Sequence, residues 1–333
     1  MLSEEKIQEE LKQVIVPGVK RSVWDMNLIR EVSISEEEIR INLASTGLVE
    51  AAQNWVEAKV KDLLEKLPGV KKVQVSYVNA KPEDLNSIRH IIAVMSGKGG
   101  VGKSVVSSLV AVALKRLGYE VGILDADITG PSIPKMFGIA EQPHFSENAL
   151  LPVPTRSGIE IMSINLLLPN EDEAVIWRGP LIGNTIKQFG TEVLWGRLDY
   201  LIIDLPPGTA DAPLTVMQSF PISGVIIVFT PQDLVEMIVK KAINMAKKMN
   251  KPILGVVENM SYLYIPELER KIEIFGQSRA EEMAKIADAP LIAQIPIDPE
   301  LVKICDKGEI ERYANGLVTG IGEALSKVVA LKK

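Results

Sequence analysis

The chain has 333 residues, a formal net charge of -6 and a sequence pI near 5.3; that is long enough for two domains with a buried core and lacks the basic excess of a general nucleic-acid binder. Its single cysteine, Cys305, excludes internal disulfides and any cysteine cluster for a metal within one chain. The stretch Met1-Leu2-Ser3-Glu4-Glu5-Lys6 lacks the basic and apolar regions of a signal peptide, and no apolar run approaches a membrane span, so the expectation is a cytoplasmic protein with neither membrane nor nucleic acid as partner.

Residues 1–80 read as a small α+β domain. A charged helix from about Ser3 to Gln13 stops before Pro17-Gly18, which cannot continue it. Two alternating stretches, Glu31-Val32-Ser33-Ile34 and Ile39-Arg40-Ile41-Asn42-Leu43, predict strands. A helix follows with apolar Ala52, Val56, Leu63 and Leu67, then a third strand over Val73-Gln74-Val75-Ser76-Tyr77. Residues 81–90, opening with Lys81-Pro82-Glu83, read as a linker.

From Ile91 the pattern changes to short apolar strands separated by helices, so residues 91–333 form the second domain. The clearest strands are Ile91 to Met95, Val121 to Leu124, Tyr200 to Ile203, Val225 to Phe229, Ile253 to Val257 and Leu291 to Ala293. The fold class is α/β: a mostly parallel sheet with helices on both faces, whose ligands gather beyond the strand C-termini. The last periodic stretch, Val318, Ile321, Leu325 and Val328 before Lys332-Lys333, reads as a core-facing helix rather than a membrane anchor.

Between the first of these strands and the helix Val105 to Leu117 lies Ser96-Gly97-Lys98-Gly99-Gly100-Val101-Gly102-Lys103-Ser104. Gly97-x4-Gly102-Lys103-Ser104 has Walker A spacing, in which backbone N–H groups of a glycine-rich turn meet phosphate oxygens at a helix N-terminus. Lys103 would set its ammonium against the β- and γ-phosphates, the Ser104 hydroxyl would take magnesium, and the glycines let the main chain approach. Lys98 has no part in that scheme; on chemistry alone a solvated loop lysine is an equal reading.

Two strands end in acids. Leu201-Ile202-Ile203-Asp204 has the form of a Walker B strand, with Asp204 beside the magnesium shell. Ile123-Leu124-Asp125-Ala126-Asp127 places two more acids at another strand end, although Asp127 taken alone is equally a turn former. The segment Leu205-Pro206-Pro207-Gly208-Thr209-Ala210-Asp211 reads either as a switch closing on a γ-phosphate or as a plain strand-to-helix turn. His144 and Cys305, remote from these motifs along the chain, read as structural.

Taken together these segments resemble the MinD/ParA/ArsA class of P-loop ATPases with a second lysine in the loop, and within it the Mrp/ApbC iron-sulfur cluster carriers. The resemblance runs from about Ile91 to Asp306. It is carried by Ser96 to Ser104, Asp125 to Pro134, Trp177-Arg178-Gly179-Pro180, Asp199 to Asp211, Thr230-Pro231-Gln232-Asp233 and Glu258-Asn259-Met260-Ser261-Tyr262. The amino-terminal domain resembles the small iron-sulfur-assembly domain often fused to such chains, with Val16-Pro17-Gly18 departing from its acidic motif.

The resemblance implies an ATP-hydrolysing homodimer with two nucleotides at its interface. Lys98 would reach the partner's nucleotide, Asp127 would orient the attacking water, Asn259 would contact adenine, and the loop at Pro296 would close over the base. Cofactor-binding positions are then Gly97, Lys98, Gly99, Gly100, Val101, Gly102, Lys103, Ser104, Val105, Asn259 and Pro296. Catalytic positions are Lys98, Lys103 and Asp127, and Ser104 with Asp204 would hold magnesium. Iron-sulfur scaffold or acceptor proteins would be partners.

One departure stands out. Where such carriers have Cys-Pro-x-Cys, this chain reads Ile265-Pro266-Glu267-Leu268, so no iron-sulfur ligand is identified. A bridged four-iron cluster typically takes four thiolates, and a dimer would offer one cysteine per subunit. Cys305 follows Leu301-Val302-Lys303-Ile304 and reads as a buried core residue. A cluster held otherwise, borrowed or lost, a MinD/ParA-like positioning ATPase and an ATP-binding regulatory scaffold therefore stay open.

Overall fold

The computed structural model describes residues 3–127, 130, 132–146, 148–168, 179–209, 211–232 and 235–331. Outside these lie Ile128, Thr129 and Pro131 of the acidic loop, Trp177 and Arg178 of the Trp-Arg-Gly-Pro tetrapeptide, Ala210, Asp233, and Lys332 with Lys333. Packing divides the chain into two units. One comprises the residues up to Arg89 with Pro143–Pro154 and Gln188–Leu198; the other comprises His90–Gln142, Thr155–Lys187 and the residues from Asp199 on.

The smaller unit holds a sheet with Glu38–Ala44 at its centre, antiparallel to Ile29–Ser35 and parallel to Lys72–Val78. A parallel partner requires a crossover, and the helix Glu50–Leu64 supplies it. That helix buries Ala52, Val56, Val60 and Leu64, a stripe of every fourth residue, while the strand buries alternate Ile39, Ile41 and Leu43. Leu67 is buried just beyond the helix end and Leu63 only half-buried. Ser3 caps the first helix, Glu4–Leu11, by accepting from the Lys6 N–H.

Two later segments join this unit through hydrogen bonds no linear reading anticipates. The Arg21 guanidinium donates to the carbonyls of Trp195 at 2.7 Å and Leu194 at 3.4 Å, and the Asn86 amide donates to Val193 at 2.9 Å. Leu194 and Leu151 sit in the same apolar core as Ile7 and Leu11. Where a linker is expected, Pro82–Leu85 forms a short helix and the next strand already begins at Ser87.

The larger unit is built on a mostly parallel sheet with the order Leu291–Gln294, Ile253–Glu258, Gly224–Phe229, Ser87–Ser96, Arg197–Asp204, Val121–Asp125 and Glu160–Ser163. The strand Glu160–Ser163 was not expected. Its four residues are all buried, and so short a run carries no period. The order sets the site: the chain leaves Ser87–Ser96, passes through the helix Lys103–Arg116 and returns as Val121–Asp125 with one strand position left between them. Arg197–Asp204 fills that position, bringing Asp204 beside the glycine-rich turn.

The terminal helix Gly316–Leu331 buries Val318, Ile321 and Leu325 as expected, with Val329 rather than Val328 completing the face. Among the described residues no helix is long and apolar enough to cross a membrane.

Candidate functional site

The glycine-rich turn follows the fully buried run Ile92–Met95 and opens the helix Lys103–Arg116, which no side chain caps. The first N–H groups of that helix are therefore left to a ligand, and the helix dipole favours an anion there. Glycine is required at two positions for different reasons. A Cβ at Gly97 would stand 2.1 Å from Ile238 Cγ2 and 2.6 Å from the Ile238 carbonyl oxygen. Gly102 has a φ of 76°, and a Cβ there would lie 2.2 Å from Asn259 Nδ2. Gly102→Ala is accordingly expected to weaken nucleotide affinity by at least about tenfold, as measured by equilibrium dialysis.

Beneath the turn sits a buried group of charges. Lys103 is 6% exposed, its Nζ in an ion pair 2.9 Å from Asp204 Oδ1 and 3.9 Å from Asp127 Oδ2, without a well-aligned hydrogen bond among the described residues. Asp204 is fully buried. Its Oδ2 accepts from the Ser104 hydroxyl at 2.5 Å and its Oδ1 from the Ser107 hydroxyl at 2.6 Å. Ser107 was absent from the sequence reading; its spacing of one helical turn from Lys103 was the available signal.

Asp125, in register with Asp204 on the adjacent strand, is also fully buried. It accepts from the N–H groups of Asp127, Ser132 and Ile133 at 3.2, 3.2 and 3.3 Å and from the Ser163 hydroxyl at 3.3 Å. Burial, and next the charge of Asp204, push this carboxyl above its ordinary range, against the pull of Lys103 and the Ile133 N–H. Asp125 thus holds the backbone at Asp127, Ser132 and Ile133, and the Asp127 side chain is 14% exposed.

Above this floor is a cavity of about 830 Å³, within the range of ligand pockets. Of the residues expected from sequence, Lys98, Gly99 to Val105, Asp127, Asn259 and Pro296 line it; Gly97 and the deeper Asp204 do not. Asn259 donates through Nδ2 to the Val101 carbonyl at 2.9 Å. Lys98 is half-buried and its ammonium bonds Gln232 of the same chain. The segment after Asp204 is tied to the glycine-turn strand: Leu205 N–H donates to Val94 O at 3.1 Å and Gly208 N–H to Ser96 O at 3.0 Å.

The rest of the lining includes Lys135, Met136, Ile274, Phe275 and Cys305, none marked by a sequence motif. Cys305 corrects an expectation. It is half-buried, on the helix Pro299–Asp306, where only Leu301 is buried and Val302 is 59% exposed. Leu301 and Val302 of the apolar run line the cavity together with Cys305. Burial, with the charge of Asp306 adding, pushes the Cys305 thiol up to about 11. His144 is exposed. Ile265 ends one strand of a hairpin, Leu263–Ile265 with Arg270–Ile272, and Leu268 is 66% exposed at its turn. Among the described residues no group of three or more His, Cys, Asp or Glu side chains is arranged to hold a metal.

Residues 87–329 match the family described as NUBPL iron-transfer P-loop NTPase, and residues 4–77 match that of the iron-sulfur cluster assembly protein. The iron-sulfur cluster carrier protein of Clostridium perfringens is 46% identical over 249 residues, spanning 72% of this chain and 87% of that protein. The Synechocystis carrier protein is 36% identical over 321 residues, spanning 92% and 91%. Among solved structures, a nucleotide-binding protein from Archaeoglobus fulgidus in complex with ADP superposes with a TM-score of 0.63 at 47% identity, covering 69% of this chain and 90% of its own. The MinC:MinD complex from Aquifex aeolicus gives 0.53 at 20% identity over 72% and 96%, a likeness of fold.

Proposed function

This chain belongs to the iron-sulfur cluster carrier family of P-loop NTPases, and from that membership we propose that it binds and hydrolyses ATP, working as a homodimer in the assembly or transfer of iron-sulfur clusters. The observation that carries the nucleotide reading is the buried Lys103 ammonium, which is paired with Asp204 at 2.9 Å and lines the cavity at an uncapped helix N-terminus. One carboxylate leaves an ammonium with donors to spare, and phosphate oxygens at the helix N-terminus would take them. The ADP held by the Archaeoglobus fulgidus relative supports the same reading.

In this reading the backbone of Gly99 to Ser104 cradles the phosphates, Lys103 neutralises them, and Asp127 orients water. Asn259 and the Pro296 loop flank the base. Ser104 and Asp204 offer hard oxygens, the donor type magnesium takes, and an ion ligated mostly by phosphate and water needs only one or two protein ligands. Those two residues would hold it, and it would supply positive charge against the phosphate oxygens. Lys98 is the residue that acts on the partner's nucleotide. Magnesium-dependent phosphate release from ATP by the purified protein is the direct test, and its absence would refute the activity.

The iron-sulfur cluster is cargo. A thiolate, not a thiol, ligates iron, and a single cysteine whose thiol is pushed up to about 11 is a poor ligand. We therefore expect cluster handling through a scaffold or acceptor protein. Anaerobic reconstitution without such a partner should give no stoichiometric cluster absorption, in the parent or in Cys305→Ala. A stoichiometric cluster lost in Cys305→Ala would make that thiol a ligand, and one that survives would mean ligands other than cysteine.

A further inference from the structure

The end of the strand Ile253–Glu258 carries a polar group that the phosphate chemistry does not use. Glu258 is fully buried, and every side-chain partner it has is a donor. Oε2 accepts from the Ser261 hydroxyl at 2.5 Å, the Ser278 hydroxyl at 2.7 Å and Gln294 Nε2 at 3.1 Å, while Oε1 accepts from the Arg279 N–H at 2.8 Å. Gln294 also donates to both hydroxyls, at 3.2 Å to Ser261 and 2.7 Å to Ser278. One carboxylate thus joins four pieces of chain: its own strand end, the turn that follows, the start of the helix Ala280–Ala287, and the end of the strand Leu291–Gln294.

The turn it holds is the one that forms the cavity wall. Met260 has a φ of 53°, a left-handed conformation that a residue with a Cβ seldom adopts and that persists only where the surroundings over-determine it. Here both sides are pinned. Asn259 N–H donates to Phe229 O at 2.8 Å and Ser261 N–H to Ile295 O at 2.9 Å, while Ile295 N–H returns to Glu258 O at 2.8 Å. With Met260 so turned, Asn259 reaches the Val101 carbonyl of the phosphate loop, and Ile295 leads directly into Pro296 on the cavity wall.

We propose that Glu258 is the positioning residue of the base-binding wall: its carboxylate, through Ser261 and Gln294, sets Asn259, Met260 and Pro296 for the nucleotide base without touching the nucleotide. The inference rests on the nucleotide reading of the cavity. It separates two parts of the site. Among the described residues the Glu258 carboxylate makes no hydrogen bond to the phosphate floor, Lys103 with Asp204 and Ser104, and meets the phosphate loop through Asn259 and the Val101 carbonyl, so disturbing Glu258 shifts recognition of the base and leaves the Lys103, Ser104 and Asp204 contacts to phosphate in place.

Glu258→Gln keeps the shape but offers one acceptor oxygen; if that oxygen serves the two hydroxyls and Gln294, an NH2 is set against the Arg279 N–H. The expected result is a rise of about tenfold in the ATP dissociation constant, with kcat at saturating ATP within about twofold of the parent. Inorganic tripolyphosphate, which has no base, should compete as well against the variant as against the parent. Ser261→Ala, a smaller change, should move the ATP constant in the same direction by about threefold and serves if Glu258→Gln does not fold. An unchanged ATP constant in both variants would overturn the proposal, as would equal weakening of ATP and tripolyphosphate. A parent that binds tripolyphosphate but not ATP would remove the base site and this proposal with it, and one that binds neither would remove the nucleotide reading itself.

Discussion

Lys103→Ala is expected to abolish ATP turnover, lowering kcat by about two to three orders of magnitude or more in a magnesium-dependent phosphate-release assay. The ammonium is 6% exposed and paired with Asp204 Oδ1 at 2.9 Å. Charge developing on transferred phosphate oxygens meets it in a site from which water is largely excluded, where a fixed cation acts far more strongly than in solvent. The same substitution carries a cost to the fold. Asp204 is fully buried and paired in register with Asp125; without the lysine these carboxylates lose their nearby cation. Removing one partner of such a buried pair costs about 3 kcal/mol, so the urea midpoint of the nucleotide-free variant should fall. Turnover equal to the parent's would remove Lys103 from the chemistry.

Lys98→Ala is expected to leave ATP affinity within about threefold of the parent while turnover falls by about a hundredfold or more, and to lose the ATP-dependent dimer in light scattering. The motive is that the Lys98 ammonium is held by Gln232 of the same chain, while Lys103 is the lysine proposed to grip the phosphates. Acting across an interface requires releasing that bond, so ATP-driven association and turnover should fail together. Parent-like scattering and parent-like turnover would count decisively against the trans role. Loss of ATP affinity itself would make Lys98 a ligand of its own nucleotide instead.

Much of this site is legible along the chain because its parts are local. The turn at Ser96 to Ser104, the strand ends at Asp125 and Asp204 and the flanking apolar runs each lie within a few residues, and spacing alone identifies them. The less legible parts depend on partners far apart in sequence. Ser87 to His90 alternate between exposed and half-buried positions and read as a linker, until pairing within the sheet makes them strand. Glu160–Ser163 is too short for a period, yet it is buried against Val121–Asp125. Cys305 follows an apolar run that suggests a core, but that helix buries only Leu301 and lines the cavity with Leu301, Val302 and Cys305.

The sequence by itself determined the family, the α/β class, and the kind of ligand chemistry available, since a glycine-rich turn, a following lysine and serine, and acids at strand ends are chemically sufficient wherever they fold together. It also determined that one thiol is all this chain can offer a cluster. Only the tertiary structure decided which groups meet. Strand order set Asp204 beside the turn, a left-handed Met260 brought Asn259 to Val101, and Glu258 gathered donors from Ser261, Ser278, Arg279 and Gln294. Those meetings are not coded by any one segment. They follow from the requirement that a buried carboxylate find its donors wherever the packed chain supplies them.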